Sequence, residues 1–138
     1  MRSAPNVIVV DASAVVDFLI RRRLKGAWVA DRFAEAGIIH GPHLVDIEVA
    51  SLLRRFVRSR EIDAARAGAA LALLPELRLQ RYPMTVLLVR IWSLRETLSA
   101  YDAAYVALAE ALDLPLLTTD GRLARSHGHE VEIVSFPA

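Results

Sequence analysis

The run Val7-Ile8-Val9-Val10 is four β-branched residues long without a polar interruption, and it breaks at once on Asp11. A run of this kind fits a strand covered on both faces, as in parallel sheets, because a strand with one wet side alternates apolar and polar residues. Such a strand calls for helices above and below its sheet, so the chain is expected to alternate strands with amphipathic segments.

The pattern that follows supplies them. Helices are expected over residues 13–20, 27–36 (closed by Gly37), 43–59, 63–74 (stopped near Pro75), 85–98 and 100–112. Further strands are expected at 38–39 (ended by Gly41-Pro42), at 77–80 as an edge strand ended before Pro83, at 116–118 and at 131–136. The segment 43–59 is the clearest amphipathic helix, with Val45, Val49, Leu52, Leu53 and Phe56 on one stripe and Arg54, Arg55 and Arg58 on the outer side. The segment 100–112 is alanine-rich and apolar on most faces, as a helix buried between layers would be. With 138 residues, no repeat and no interior linker, one α/β domain over 1–138 is expected.

Composition removes several classes of function. No cysteine is present, which excludes disulfides, zinc–thiolate sites and thiol catalysis together. No apolar run approaches the roughly 18–20 residues that span a bilayer. The stretch from Met1 through Val10 is too short to hold a signal-peptide core, so a cytoplasmic protein is expected. Net charge is +1, which gives no global attraction to nucleic acid. Of 17 basic residues, however, only Lys25 is lysine, and arginines gather at 21–23 and at 54, 55, 58 and 60. Guanidinium forks suit phosphate oxygens, while the same clusters also suit a plain solvated face.

Four acids deserve separate treatment. In an open parallel sheet, ligands bind beyond the carboxyl ends of the strands. Asp11 directly follows the strand 7–10 and Asp120 lies two residues after Thr118, so both emerge at that edge. Each also has an ordinary structural reading, Asp11 as a helix N-cap and Asp120-Gly121 as a turn. Glu48 falls at the border of its helix's buried face, about 80° from the centre of the apolar stripe on a wheel of 100° per residue. Its ordinary reading is a solvated glutamate near a helix N-terminus. Asp102 follows Ser99 by three positions, the spacing of a capping box. No lysine or arginine lies within five residues of it, although its helix is apolar nearly all round, and a charge so placed needs a partner. Taken together, four converging carboxylates would repel one another unless a hard divalent cation such as Mg²⁺ held them, and such a site suits in-line attack on a phosphodiester.

The segments Val9-Val10-Asp11-Ala12-Ser13-Ala14, Glu48-Val49-Ala50-Ser51-Leu52-Leu53, Leu98-Ser99-Ala100-Tyr101-Asp102-Ala103-Ala104-Tyr105 and Leu116-Leu117-Thr118-Thr119-Asp120-Gly121-Arg122-Leu123 resemble, in order and spacing, the four acidic motifs of the PIN-domain family, and of its VapC toxin branch in particular. The resemblance implies a three-layer α/β/α sandwich around a mostly parallel five-stranded sheet. It implies an endoribonuclease dependent on Mg²⁺ or Mn²⁺, the toxin of a toxin–antitoxin pair, blocked by a small antitoxin and commonly a homodimer. By matching position, Asp11 and Asp102 would be the main metal ligands, Glu48 would ligate metal or orient water, and Asp120 would complete the acidic pocket. Ser13 and Thr119 would be supporting polar groups, and Asp17 is an additional acid without an assigned role. Hydrolysis by water would leave a 5′-phosphate and a 3′-hydroxyl.

Other readings fare less well. A haloacid-dehalogenase-type phosphatase needs an aspartate where Ser13 stands, and both it and a receiver domain need a late lysine. A nucleotide-binding module needs a glycine-rich phosphate loop, and neither G-x-G-x-x-G nor G-x-x-x-x-G-K-[ST] occurs. The alternative that survives is a non-catalytic RNA- or protein-binding module of the same fold. His127-Gly128-His129 reads as a solvated loop rather than a metal pair. Trp28 and Trp92 read as core or dimer contacts rather than base-stacking platforms.

Overall fold

The computed structural model describes residues 7–137; the expectation about export rests on the N-terminal residues 1–6, which lie outside them. Strand β1 (Val7–Val10) leads into α1 (Ala12–Leu19) and α2 (Arg23–Ala36), then β2 (Ile38–Pro42), α3 (Leu44–Arg58) and α4 (Ala64–Leu73). After a short 3₁₀ turn come β3 (Leu79–Tyr82), a second 3₁₀ turn, α5 (Leu88–Ser93), α6 (Ala100–Leu112), β4 (Leu116–Thr118), α7 (Gly121–Ala124) and β5 (Ile133–Ser135).

All four strand pairings are parallel and the order is β3-β2-β1-β4-β5. Parallel crossovers are right-handed because a right-twisted strand packs its helix back onto the sheet only that way. The connections β1→β2 and β2→β3 step in one direction, so α1 to α4 cover one face. The connections β3→β4 and β4→β5 step the other way, which sends α5, α6 and α7 to the opposite face. The expected three-layer α/β/α sandwich with a five-stranded sheet is thus what forms, with β1 at its centre. Val9, Val10, Val45, Val49, Leu116 and Leu117 are fully buried, each contributing about 1.5–3 kcal/mol relative to exposure.

Several boundaries differ from the sequence reading, each for a local reason. Helix α2 begins at Arg23 rather than at residue 27. Gly26 makes that start possible: a Cβ there would lie 2.8 Å from the Asp17 carbonyl oxygen at the end of α1. Strand β2 runs on through Gly41 and Pro42 because β3 pairs with it to Tyr82, and β3 itself starts two residues late because the 3₁₀ turn Leu74–Glu76 consumes the chain after Pro75. Arg81 then forks Asp46 on α3 at 2.7 and 2.8 Å, tying this edge strand to the helical layer. The expected helix over 85–98 shrinks to α5. There the Ser93 hydroxyl donates to the Arg90 carbonyl at 2.6 Å and competes with helical continuation. Strand β5 keeps only the residues that face Leu116, Leu117 and Thr118. Among the described residues, no helix is long and apolar enough to cross a membrane.

Of the two places expected for Trp92, the core one is ruled out, since it is 67% exposed with the Arg95 guanidinium 4.6 Å over its ring. Trp28 is half-buried, edge-on to Phe136.

Candidate functional site

The strand order reverses between β1 and β4, and a crevice opens beyond the carboxyl ends of strands at such a point. Asp11 leaves β1 there and Asp120 follows β4. Crossover helices run antiparallel to their strands, so the N-terminal parts of α3 and of α6 also lie at this edge, with Glu48 in the second turn of α3 and Asp102 in the first turn of α6. A pocket of about 160 Å³ results, and Asp11, Glu48, Asp102 and Asp120 all line it together with Ser13. The tertiary structure therefore brings all four sequence-predicted acids to one cavity. Among the described residues, no three acidic or histidine side chains close on one point as a ready-made metal cage.

Asp11 is the deepest of the four, 5% exposed. It caps α1 by accepting from the Ala14 N–H at 3.0 Å, so its ordinary reading holds too. The same carboxylate accepts from Ser13 Oγ at 2.8 Å and from Thr118 Oγ1 at 2.5 Å. Burial pushes its carboxyl up to about 6; those three donors oppose the shift and the charge of Asp120 adds to it.

Glu48 accepts from the Tyr105 hydroxyl at 2.6 Å, a bond that joins α3 to α6 across the pocket. Burial raises the Glu48 carboxyl and the charge of Asp102 adds to that, against the hydrogen bond from Tyr105. Asp102 is raised by burial and by Asp120, while Arg122 acts in the opposite direction. Its backbone N–H donates to Ser99 Oγ at 3.2 Å, confirming the cap. The basic partner expected to be missing is supplied from 20 residues along the chain. Arg122 Nη2 stands 3.8 Å from Asp102 Oδ2 and 3.3 Å from Asp120 Oδ2. A window of five residues could not see it. Asp120 also caps the short α7 by accepting from the Arg122 N–H at 2.8 Å.

Beneath the pocket the hydroxyls form a chain. Thr119 Oγ1 donates to buried Asp17 at 2.6 Å and lies 3.1 Å from Ser13 Oγ, and the Thr119 N–H points at the same Ser13 oxygen at 3.3 Å. Asp17 in turn faces Arg22 at 3.6 Å. The unassigned acid thus ties Thr119 and the arginine segment to the floor of the site.

Sequence reasoning missed Tyr105, Thr118 and Arg122, and named Arg55 only as one of a cluster that could face phosphate or solvent. Tyr105 follows Asp102 by three positions, and Arg55 follows Glu48 by seven, so helical spacing could have found both. Arg55, expected on the outer face of α3, lines the pocket. The histidine loop is structural: His129 Nε2 is 2.8 Å from Ser126 Oγ, and its Nδ1 accepts from the Val131 N–H at 3.2 Å.

The donor set suits a hard divalent ion. All four acids offer oxygen, burial disfavours the anions of Asp11, Glu48 and Asp102, and the pocket has room for water. Mg²⁺ usually takes one or two carboxylates and keeps several waters, so a loose arrangement of acids fits it better than a tight cage.

Comparison with known proteins agrees with this fold. A family model described as PIN domain matches residues 8–127. Ribonuclease VapC1 of Mycobacterium tuberculosis is 48% identical over 126 residues, covering 91% of this chain and 94% of its own length. VapC ribonuclease Mb0985 of Mycobacterium bovis is 43% identical over 131 residues, covering 95% of this chain and 99% of its own. Among solved structures, PAE2754 from Pyrobaculum aerophilum superposes with a TM-score of 0.65 at 27% identity, covering 96% of this chain and 87% of that one. Mycobacterium tuberculosis VapC20, titled a sarcin-ricin loop cleaving toxin, gives a TM-score of 0.64 at 18% identity over 85% of this chain and 92% of its own, a likeness of fold.

Proposed function

Because the chain belongs to the PIN-domain family, with VapC ribonucleases among its relatives, we propose that it is a toxin endoribonuclease working through a divalent metal held by Asp11, Glu48, Asp102 and Asp120. The toxin endoribonuclease activity follows from the family; the metal and the residue roles rest on the gathering of all four acids around one pocket.

Asp11 and Asp102 would be the main ligands of Mg²⁺ or Mn²⁺ in this reading, Glu48 would ligate metal or orient water, and Asp120 would complete the charge of the pocket. An ion held there would supply positive charge for the scissile phosphate and a water of lowered pKa. The protein's part is to hold the carboxylates. Ser13 and Thr118 fix both oxygens of Asp11, Tyr105 fixes Glu48, and Thr119 fixes Ser13. The products are a 5′-phosphate and a 3′-hydroxyl.

The same reading takes residues 1–138 as one nuclease domain, cytoplasmic and homodimeric, inhibited by a small cognate antitoxin. Two measurements test its core. Mn²⁺ or Mg²⁺ should raise the melting temperature of the wild type and not that of Asp11→Asn. Cleaved RNA should carry 5′-phosphate ends. Cyclic 2′,3′-phosphate products would refute attack by metal-activated water and leave a nuclease of another mechanism; a melting temperature indifferent to metal, with no cleavage, would leave a binding module of this fold.

A further inference from the structure

The four acids are held in two different ways. Asp11 and Glu48 are satisfied by neutral donors, the hydroxyls of Ser13, Thr118 and Tyr105. Asp102 and Asp120 instead share a cation, the Arg122 guanidinium, at 3.8 and 3.3 Å. Among the described residues, Arg122 is the only base in an ion pair with either acid. Its side chain is 74% exposed, so charge rather than packing holds it in place, and water screens both contacts.

A monovalent group on a flexible, solvated side chain cannot hold two carboxylates against a divalent ion, whose attraction to each is doubled. We propose that Arg122 is the counter-ion of Asp102 and Asp120 while no metal is bound, and that a metal displaces it onto an RNA phosphate entering the pocket. This inference rests on the metal-dependent reading above. The displaced guanidinium remains tethered at the wall of the cavity through α7. The ion then offsets the two charges that Arg122 had faced, on Asp102 and Asp120, and the anion that enters this cavity is the nucleic-acid backbone. A planar fork with several N–H donors grips phosphate oxygens there. One residue would thus couple metal loading to substrate capture, because the phosphate site becomes available only as the acids fill.

The two roles predict opposite effects of one substitution, which a merely structural role would not produce. Purified full-length wild type, Arg122→Gln and Arg122→Lys are titrated with Mn²⁺, with free ion followed by electron paramagnetic resonance. Each is then titrated, at saturating Mn²⁺, into a fluorescein-labelled single-stranded 2′-O-methyl RNA followed by anisotropy. Arg122→Gln should bind Mn²⁺ about three- to fivefold more tightly, the size of a screened ion pair. It should bind the oligonucleotide about tenfold more weakly, and its plot of log affinity against log salt should be shallower by about 0.7, one single-strand phosphate contact. Arg122→Lys should fall between the two. Unchanged or weaker Mn²⁺ binding by Arg122→Gln, with wild type binding saturably, overturns the proposal alone, as does an unchanged oligonucleotide affinity and salt slope or a wild type that binds no oligonucleotide. A wild type without saturable Mn²⁺ binding overturns the metal-dependent reading and this proposal with it.

Discussion

Thr118 Oγ1 donates to Asp11 Oδ2 at 2.5 Å, joining the last residue of β4 to the first residue after β1. The partners are 107 positions apart in sequence, yet adjacent because β1 and β4 are neighbours in the sheet. The same hydroxyl accepts from the Asp120 N–H at 2.9 Å, so one side chain sets the position of two of the four acids.

Replacing that hydroxyl should therefore be costly. Thr118→Val keeps the shape of the side chain but leaves a buried carboxylate oxygen and a backbone donor without this partner. The expected loss is about 2–3 kcal/mol in urea unfolding, with cleavage reduced. Thr118→Ser should recover most of both, and equal stability of Thr118→Val and wild type would show that the hydroxyl contributes nothing.

Asp11→Asn and Asp102→Asn should abolish RNA cleavage and leave the far-ultraviolet circular dichroism unchanged. For Asp11 the stability effect has a defined sign. Its folded pKa of about 6 lies above the ordinary 3.8, so the neutral form is favoured in the fold. That contribution is fully present below pH 4 and is lost as pH rises through 6, a cost on the order of 3 kcal/mol. Metal-free Asp11→Asn should accordingly melt higher than wild type at pH 8, and the advantage should vanish near pH 4. A wild-type cleavage rate for either variant with added Mg²⁺ would mean that the site is misassigned.

Tyr105→Phe removes the 2.6 Å bond to Glu48 without disturbing the ring's place in the core. Glu48 is half-buried and water can replace the lost donor, so the stability cost should be only about 1 kcal/mol. The cleavage rate should fall about tenfold, because the carboxylate is no longer held at one angle to the pocket. A fall in stability without a fall in rate would make Tyr105 a packing residue.

His40 offers an acid-sensitive point away from the site. Its Nδ1 is 2.7 Å from the Tyr82 hydroxyl, its Nε2 is buried without a partner among the described residues, and burial lowers its pKa. A lowered folded pKa means the stability it supports is present above the ordinary value of 6.5 and is lost as pH falls. His40→Phe should flatten the decline in melting temperature between pH 7 and pH 5, a comparison made by calorimetry on both proteins. An unchanged decline would place the acid-labile group elsewhere.

Periodicity was enough for the strands β1 and β4 and the helices α3 and α6, because each carries its own apolar pattern over its whole length. It was not enough for β3, β5 and α5, where a neighbouring strand's register or a competing serine hydroxyl sets the ends. The acids were legible for a related reason. Asp11 and Asp120 follow strands, Glu48 and Asp102 sit in early helical turns, and in a parallel sheet all four places fall at one edge.

The sequence by itself determined the alternation of buried strands with amphipathic helices and the four carboxylates at their junctions, since both depend on local spacing along the chain. Only the tertiary structure decided what those carboxylates meet: Thr118 on Asp11, Tyr105 on Glu48, and Arg122 across Asp102 and Asp120. Those partners come from elements distant in the chain, and strand order and helix packing, rather than sequence separation, set the distances over which hydrogen bonds and charges act.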